Sequence, residues 1–413
     1  MLSTRLDMAE KAYTQLVHRR EGGRLRRFLV LRPFGPALEF DDMDHPPELP
    51  AYDAARDLAP RTPQFVEHTL TANERGKGGR PGLPVVTGAL AVDCDLSGAC
   101  CSQYPVIPAT PEESRRAVDA LKRFEPGKPP MKPEDGFAPS TLGRRDLLTP
   151  ILEGDGCTFL TGEGCRIHKL AGAAAKPWTC RQYPLQVVHC GNQFEVSILP
   201  QCACAARTVH RSEDADEWPT NPLQGLTTVP QVPPQVRVDD ARSLPRAGYL
   251  EWARALADVL TVPGMDPVRI LESATTSLRV PGGTLTDAWL RTLQTRMTSE
   301  AARLETYLDP AGPQPKGARW AAKLAEGLLR KPHPKPVPSA NDGLVFALAF
   351  RAHLLLELPS LAATLCDLTR IARLASLARA MTPADKVDAR LESTTLLLYL
   401  WATTRWPVAS EKT

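Results

Sequence analysis

The chain has 413 residues, enough for two or three domains, and its 50 Lys and Arg against 47 Asp and Glu leave a formal net charge of +3. So balanced a chain makes no case for nucleic acid or an anionic membrane surface as a partner. Pro (40) and Gly (27) are frequent without reaching the level of a disordered chain, and a hydrophobic share of 43% with 6% aromatics points to a core of Leu, Ala and Val.

The N-terminus, Met1 to Lys11, is broken by charges every few residues, which speaks against a signal peptide. The longest apolar stretch, Leu344 to Leu358, is interrupted by Arg351, His353 and Glu357 and reads as a buried core helix, so a cytoplasmic protein with no membrane insertion is expected. Residues 1–84 form an irregular mixed region: Leu6 to Arg20 is expected as a helix and Arg27 to Arg32 as a short strand. A Pro-rich passage from Pro46 to Pro63 and a basic, Gly-rich loop from Gly76 to Gly82 follow.

Residues 85–207 are a cysteine-rich domain. Within it, Thr110-Pro-Glu-Glu113 is a helix start: Thr110 caps, Pro111 takes the first helical position and Glu113 completes a capping box, with the helix running to Phe124. Glu125 to Pro139 reads as a solvated loop, and Gln193 to Leu199 alternates polar and apolar residues as a strand does. Residues 208–247, with six prolines, are expected to be a linker.

Residues 248–413 read as an α-helical bundle. Its helices are expected over Tyr249 to Leu260, from Thr284 or Thr286 to Leu308, from Asn341 or Asp342 to just before Pro359, over Leu361 to Ala380, and from Thr382-Pro383 to about Trp401. The expected fold class is mostly α: an irregular N-terminal region, a small metal-cluster domain of short strands and helices, and a C-terminal bundle without catalytic spacing.

Nine of the ten cysteines lie between Cys94 and Cys204; only Cys366, set among Leu365 and Leu368, reads as core. The nine are Cys94, Cys100, Cys101, Cys157, Cys165, Cys180, Cys190, Cys202 and Cys204. In a reducing compartment such clustering points to metal ligands or redox thiols more than to disulfides, and an odd number leaves one thiol over from any closed set of bridges. Thiolates are soft ligands suited to zinc, copper(I) or iron–sulfur clusters. Nine could fill two four-ligand sites or one site with redox-active spares. Glycines at 98, 156, 162, 164 and 191 suit backbone turning tightly around an ion. His168, three residues after Cys165, and His189, just before Cys190, are borderline ligands.

The segments Asp93-Cys94…Gly98-Ala-Cys100-Cys101, Gly156-Cys157-Thr-Phe-Leu160…Gly164-Cys165-Arg-Ile-His168 and Pro177-Trp-Thr-Cys180-Arg181-Gln-Tyr183-Pro184 resemble the YkgJ-type cysteine-cluster family, described as a zinc- or iron-chelating domain. The resemblance covers roughly Val92 to Cys204, with His168 standing where the family has Tyr. It implies Cys94, Cys101, Cys157, Cys165 and Cys180 as ligands, Cys100 as a bridge or a ligand to a second metal, and Cys190, Cys202 and Cys204 as the additional cysteines of longer members. It also implies that Arg181 holds a carboxylate or carbonyl or screens thiolate charge, and that Tyr183, with Pro184, shapes the site beside Cys180.

The family includes the flagellin lysine-N-methylases, which implies methyl transfer from S-adenosylmethionine to lysines of a protein such as flagellin. No Gly-rich nucleotide-binding turn and no Cys-x3-Cys-x2-Cys motif accompanies that implication. Two other readings stand beside it: an iron–sulfur redox protein carrying a 4Fe-4S cluster, and a non-enzymatic zinc module that fastens Pro-rich loops while the helical half docks a partner.

Overall fold

A computed structural model describes residues 13–21, 24–32, 37–39, 64–76, 81–87, 90–92, 109–124, 131–141, 144–153, 156–177, 180–181, 184–200, 202, 204–211, 222–223, 226, 228–307, 313–339, 341–383, 393–394 and 397–398. Tyr13–Glu21 (β1) and Arg24–Arg32 (β2) pair antiparallel, from Tyr13 opposite Arg32 to Glu21 opposite Arg24. The helix expected over Leu6 to Arg20 is therefore a strand wherever it is described. Gly22-Gly23 alone joins the two strands in sequence, and a two-glycine connection is a hairpin signal that outweighs the loose apolar spacing before it. The strand expected over Arg27 to Arg32 lies within β2. Leu152–Glu153 pairs in parallel with β1, and Gly156–Cys157 folds back on it. The passage from Pro46 to Pro63 lies outside the described residues.

Val66–Thr69 (β3), Val85–Thr87 (β4), Leu185–His189 (β5), Phe194–Ile198 (β6) and Thr228–Gln231 (β7) form the central sheet in the order β3-β7-β5-β6-β4. β5 and β6 are an antiparallel hairpin, with His189 opposite Phe194 and Val188 opposite Glu195. The expected linker 208–247 supplies β7, the strand Val209–Arg211 and a small hairpin of Gln235–Arg237 and Ser243–Pro245. Val229, Val232, Val236 and Val238 from it are buried. Its prolines exclude a helix but not extended pairing, and the β-branched residues between them bury as strand residues do.

Pro111–Phe124 (α1) starts as expected: Thr110 N–H donates to the Glu113 carboxylate at 2.9 Å and Glu113 N–H to the Thr110 hydroxyl at 3.2 Å. Its buried face, Ala117, Val118 and Leu121, joins Phe137, Phe159 and, from Arg166–Ala171 (α2), Ile167 in a minor core. The loop expected over Glu125 to Pro139 instead contains a helical turn, Pro133–Gly136, and opens the strand Phe137–Thr141, paired with Arg144–Pro150.

The C-terminal half is helical as expected: Arg246–Leu260 (α3), Pro267–Ser277 (α4), Asp287–Tyr307 (α5), Pro313–Arg330 (α6), Asp342–Arg351 (α7) and Leu361–Met381 (α8). Thr286 is the cap of α5, its hydroxyl accepting from Trp289 N–H at 3.2 Å. Neither α4 nor α6 is among the individual helices expected, although Asp266 caps α4 and Pro267 opens it. These helices share one large core with Val188 and Ile198 of the central sheet. α7 starts hard against the end of α3: a Cβ on Gly343 would lie 2.3 Å from the Leu260 carbonyl oxygen, so only glycine fits. The helix expected to reach Pro359 stops at Arg351, because His353 takes a left-handed backbone conformation with φ 54°. Most of the helix expected after Thr382 lies outside the described residues; Ser393, Thr394, Leu397 and Leu398 are helical and buried. The chain as a whole is thus not plainly all-α, since sheets run through its first 250 residues or so. Among the described residues no helix is long and apolar enough to cross a membrane.

Charge is buried within the bundle. Arg379 forks onto the Asp342 carboxylate, donates through Nε to the Val337 carbonyl at 2.8 Å and through Nη1 to the Thr394 hydroxyl at 3.1 Å. Removing one partner strands the other in the core. Asp342→Ala or Arg379→Met should cost about 3–5 kcal/mol of stability in urea unfolding, whereas Asp119→Ala, at the exposed pair with Lys122, should cost less than about 1 kcal/mol. Equal effects would contradict this reading of the network.

Candidate metal centre

The β5–β6 hairpin turns through Cys190, Gly191, Asn192 and Gln193, with Cys190 N–H donating to the Gln193 carbonyl at 2.9 Å. Gly191 sits at φ 102°, a conformation that L side chains rarely adopt, and a Cβ there would meet Arg246 Nη1 at 2.7 Å. Cys190 enters the large core from this turn, and Glu195 reaches toward the helices from β6. His353, held by its left-handed backbone between α7 and a 3-10 turn, comes from the helical half. Cys190, Glu195 and His353 are 3%, 5% and 1% exposed.

Their ligand atoms lie within 4.8 Å of one another. His353 Nε2 is 3.1 Å from Glu195 Oε2 and 3.6 Å from Cys190 Sγ. On the other side of the ring, Nδ1 is 3.1 Å from the Tyr249 hydroxyl of α3. Arg254, also on α3, donates through Nε to Glu195 Oε1 at 3.0 Å and forms an ion pair with the same oxygen. One carboxylate oxygen is thus committed to Arg254 and the other faces the imidazole and the thiol.

Burial alone would push the Glu195 carboxyl up, but the hydrogen bonds and charges of His353 and Arg254 outweigh it and hold the pKa at about 2. Burial, reinforced by that carboxylate, raises the Cys190 thiol far above its ordinary value. Burial, with Cys190 and Glu195 nearby, likewise raises the Tyr249 hydroxyl. Without an ion, the thiol and the phenol keep their protons beside an ionised carboxylate. A nucleophilic cysteine needs the opposite environment, one that favours thiolate. A dication supplies it, because ligation displaces the thiol proton.

The geometry fits such an ion. Tetrahedral zinc bonded at about 2.3 Å to sulfur and about 2.0–2.1 Å to nitrogen and oxygen spaces S and N by about 3.5 Å and N and O by about 3.4 Å. The S···N and N···O separations of 3.6 and 3.1 Å differ from these by tenths of an ångström, and all three ligand atoms lie within 4.8 Å of one another. Three protein ligands leave the fourth position open.

The other cysteines are placed differently. Cys157 pairs beside Leu152, at the edge of the sheet containing β1, and its Sγ accepts the Phe159 N–H at 3.5 Å. Cys165 immediately precedes α2, and both pack half-buried against the minor core. Cys180 is half-buried, while Cys202 and Cys204 are buried in the large core. Cys366 is buried near the Gly282 carbonyl, as expected of a core residue. Among the described residues, Cys190 is the one cysteine in a group of three or more ligating side chains. Cys94, Cys100, Cys101 and Tyr183 lie outside the described residues. Arg181 is half-buried near Arg116 and Glu113; burial first, then Arg116, lowers its proton affinity, against the pull of Glu113. His168, its Nδ1 buried and lacking a hydrogen-bond partner among the described residues, has its basicity lowered by burial and then by Lys176.

Sequence reasoning singled out Cys190 but missed Glu195 and His353. The alternation over Gln193 to Leu199 marks Glu195 only as one polar position of a strand; Arg254 and His353 of the helical half cover it. No family model, curated protein or solved structure matches this chain.

In the native, metal-free protein Cys190 should be alkylated by iodoacetamide at least about 100-fold more slowly than in urea, as followed by peptide mass spectrometry, because the thiol is buried and protonated. Equal rates in the two states would contradict the described environment.

Proposed function

We propose that the chain is a metal-binding protein that takes zinc or an iron–sulfur cluster through its 94–204 cysteine segment, with Cys190, Glu195 and His353 forming one mononuclear site. The observation that carries the reading is the convergence of a thiol, an imidazole and a carboxylate in the core at spacings that suit a tetrahedral ion. A mixed sulfur, nitrogen and oxygen set favours zinc here over a 4Fe-4S cluster, which takes thiolates. A cluster would fall instead to cysteines such as Cys94, Cys100, Cys101, Cys157, Cys165 and Cys180.

The surroundings of His353 support ligation through Nε2. With Nε2 bonded to an ion, Nδ1 carries the proton and donates to Tyr249, an outer partner of the kind that orients histidine ligands. Arg254 holds Glu195 by one oxygen and leaves the other for the ion.

Enzymatic activity enters the proposal through the resemblance: methyl transfer from S-adenosylmethionine to lysines of a protein such as flagellin. Tyr249, Arg254 and His353 come from the helical half, which favours one joint unit over a cysteine module with a separate docking domain.

Metal and acid-labile sulfide analysis of anaerobically purified protein tests the reading. Cys190→Ser and His353→Ala should each lose one equivalent of zinc, and Tyr249→Phe should weaken that site about 10–100-fold. Unchanged zinc content in both ligand variants would overturn the Cys190 site. Metal-replete protein that transfers no labelled methyl group to flagellin would remove the methylase part.

A further inference from the structure

Consecutive residues of a strand point to opposite faces of its sheet. Cys190 enters the large core, whereas His189, the last residue of β5, lies with its ring centroid 5.2 Å from that of Phe194, a residue of the core on the other face. There it stacks on His68 of β3, centroids 3.9 Å apart and planes 6° apart. The helical turn Ala72–Arg75 follows β3 and brings Glu74 to both rings. Glu74 Oε1 is 2.9 Å from His68 Nε2 and 4.0 Å from His189 Nε2. Its other oxygen accepts the Thr71 backbone N–H at 2.8 Å and the Thr71 hydroxyl at 2.9 Å, so the carboxylate is fixed with Oε1 toward the imidazoles.

We propose that His68 Nε2, His189 Nε2 and Glu74 Oε1 form a second metal site, built for a borderline first-row dication such as zinc or ferrous iron. Two imidazole nitrogens and one carboxylate oxygen are a donor set such ions take, and it leaves positions for water or an oxygen-bearing ligand. The three ligand atoms lie within 4.8 Å of one another. Gln231 supports the site from behind, its amide 2.8 Å from His189 Nδ1. With the amide turned over, its oxygen accepts the Nδ1 proton that an Nε2-bonded histidine must carry.

Parallel rings cannot aim their in-plane lone pairs at one ion, so loading requires one of them to turn. His68 is the ring with more room to do so, its side chain 21% exposed against 6% for His189. The same exposed edge lets ions exchange with solution, unlike the fully buried ligands around Cys190. This site contains no cysteine and does not depend on the reading of Cys190.

Cobalt(II) titration of the metal-stripped full chain tests the proposal. The wild type and Cys190→Ser should both show a cobalt component without thiolate charge transfer, which brief chelation removes. His68→Gln should lose that component and keep the thiolate bands, and Gln231→Ala should weaken it about 10-fold. Metal-free His68→Gln should melt with the wild type; if it melts earlier, Glu74→Gln, which keeps the side-chain size, takes its place. A nitrogen-and-oxygen component insensitive to both His68→Gln and Glu74→Gln, or none at all, overturns this site. If that component depends on His68 but Cys190→Ser changes no thiolate band, this site stands and the Cys190 reading falls.

Discussion

An ionised carboxylate inside the core is the constraint on which the candidate centre depends. Glu195 sits on a central strand with both faces of its sheet covered, where an unpaired charge would cost several kcal/mol. Compensation comes from Arg254 on α3 and His353 beyond α7, so the helical half and the sheet are joined through one side chain. The left-handed backbone at His353 follows from the same demand: it ends α7 and turns the imidazole between Glu195, Cys190 and Tyr249. Backbone strain of this kind persists where surrounding interactions over-determine it, and it concentrates at functional sites.

The two-residue period of the β5 strand divides the chemistry. His189 and Cys190 are neighbours in the chain, yet one joins His68 and Glu74 while the other joins Glu195 and His353. The first group mixes nitrogen and oxygen donors and touches solvent; the second adds sulfur and is buried. Ions would therefore meet them with different preference and different ease of exchange.

Local chemistry was legible in the sequence where one turn of chain decides the outcome. The Thr110-Pro-Glu-Glu113 start, the Thr286 cap and the span of α8 are set by neighbours three or four residues away. The Leu6 to Arg20 region failed because its strand needs a partner beyond Gly22-Gly23. The 208–247 stretch failed because prolines marked a linker while valines buried it in sheets. For the site, cysteine clustering drew attention to Cys190 but was silent on its partners. Glu195 read only as one polar position of an alternating strand, and His353, 158 residues further along, lay in a segment without catalytic spacing. Contacts of that separation leave no local pattern; only the packing of α3 and α7 on the sheet creates them.

Anomalous diffraction from zinc-loaded crystals, recorded on both sides of the zinc edge, tests the central claim most directly. The account predicts an anomalous peak within bonding distance of Cys190 Sγ, His353 Nε2 and Glu195 Oε2, at about 2.0–2.3 Å from each. Zinc bound elsewhere, with His353 still hydrogen-bonded to Glu195 and no peak between these three atoms, would contradict it.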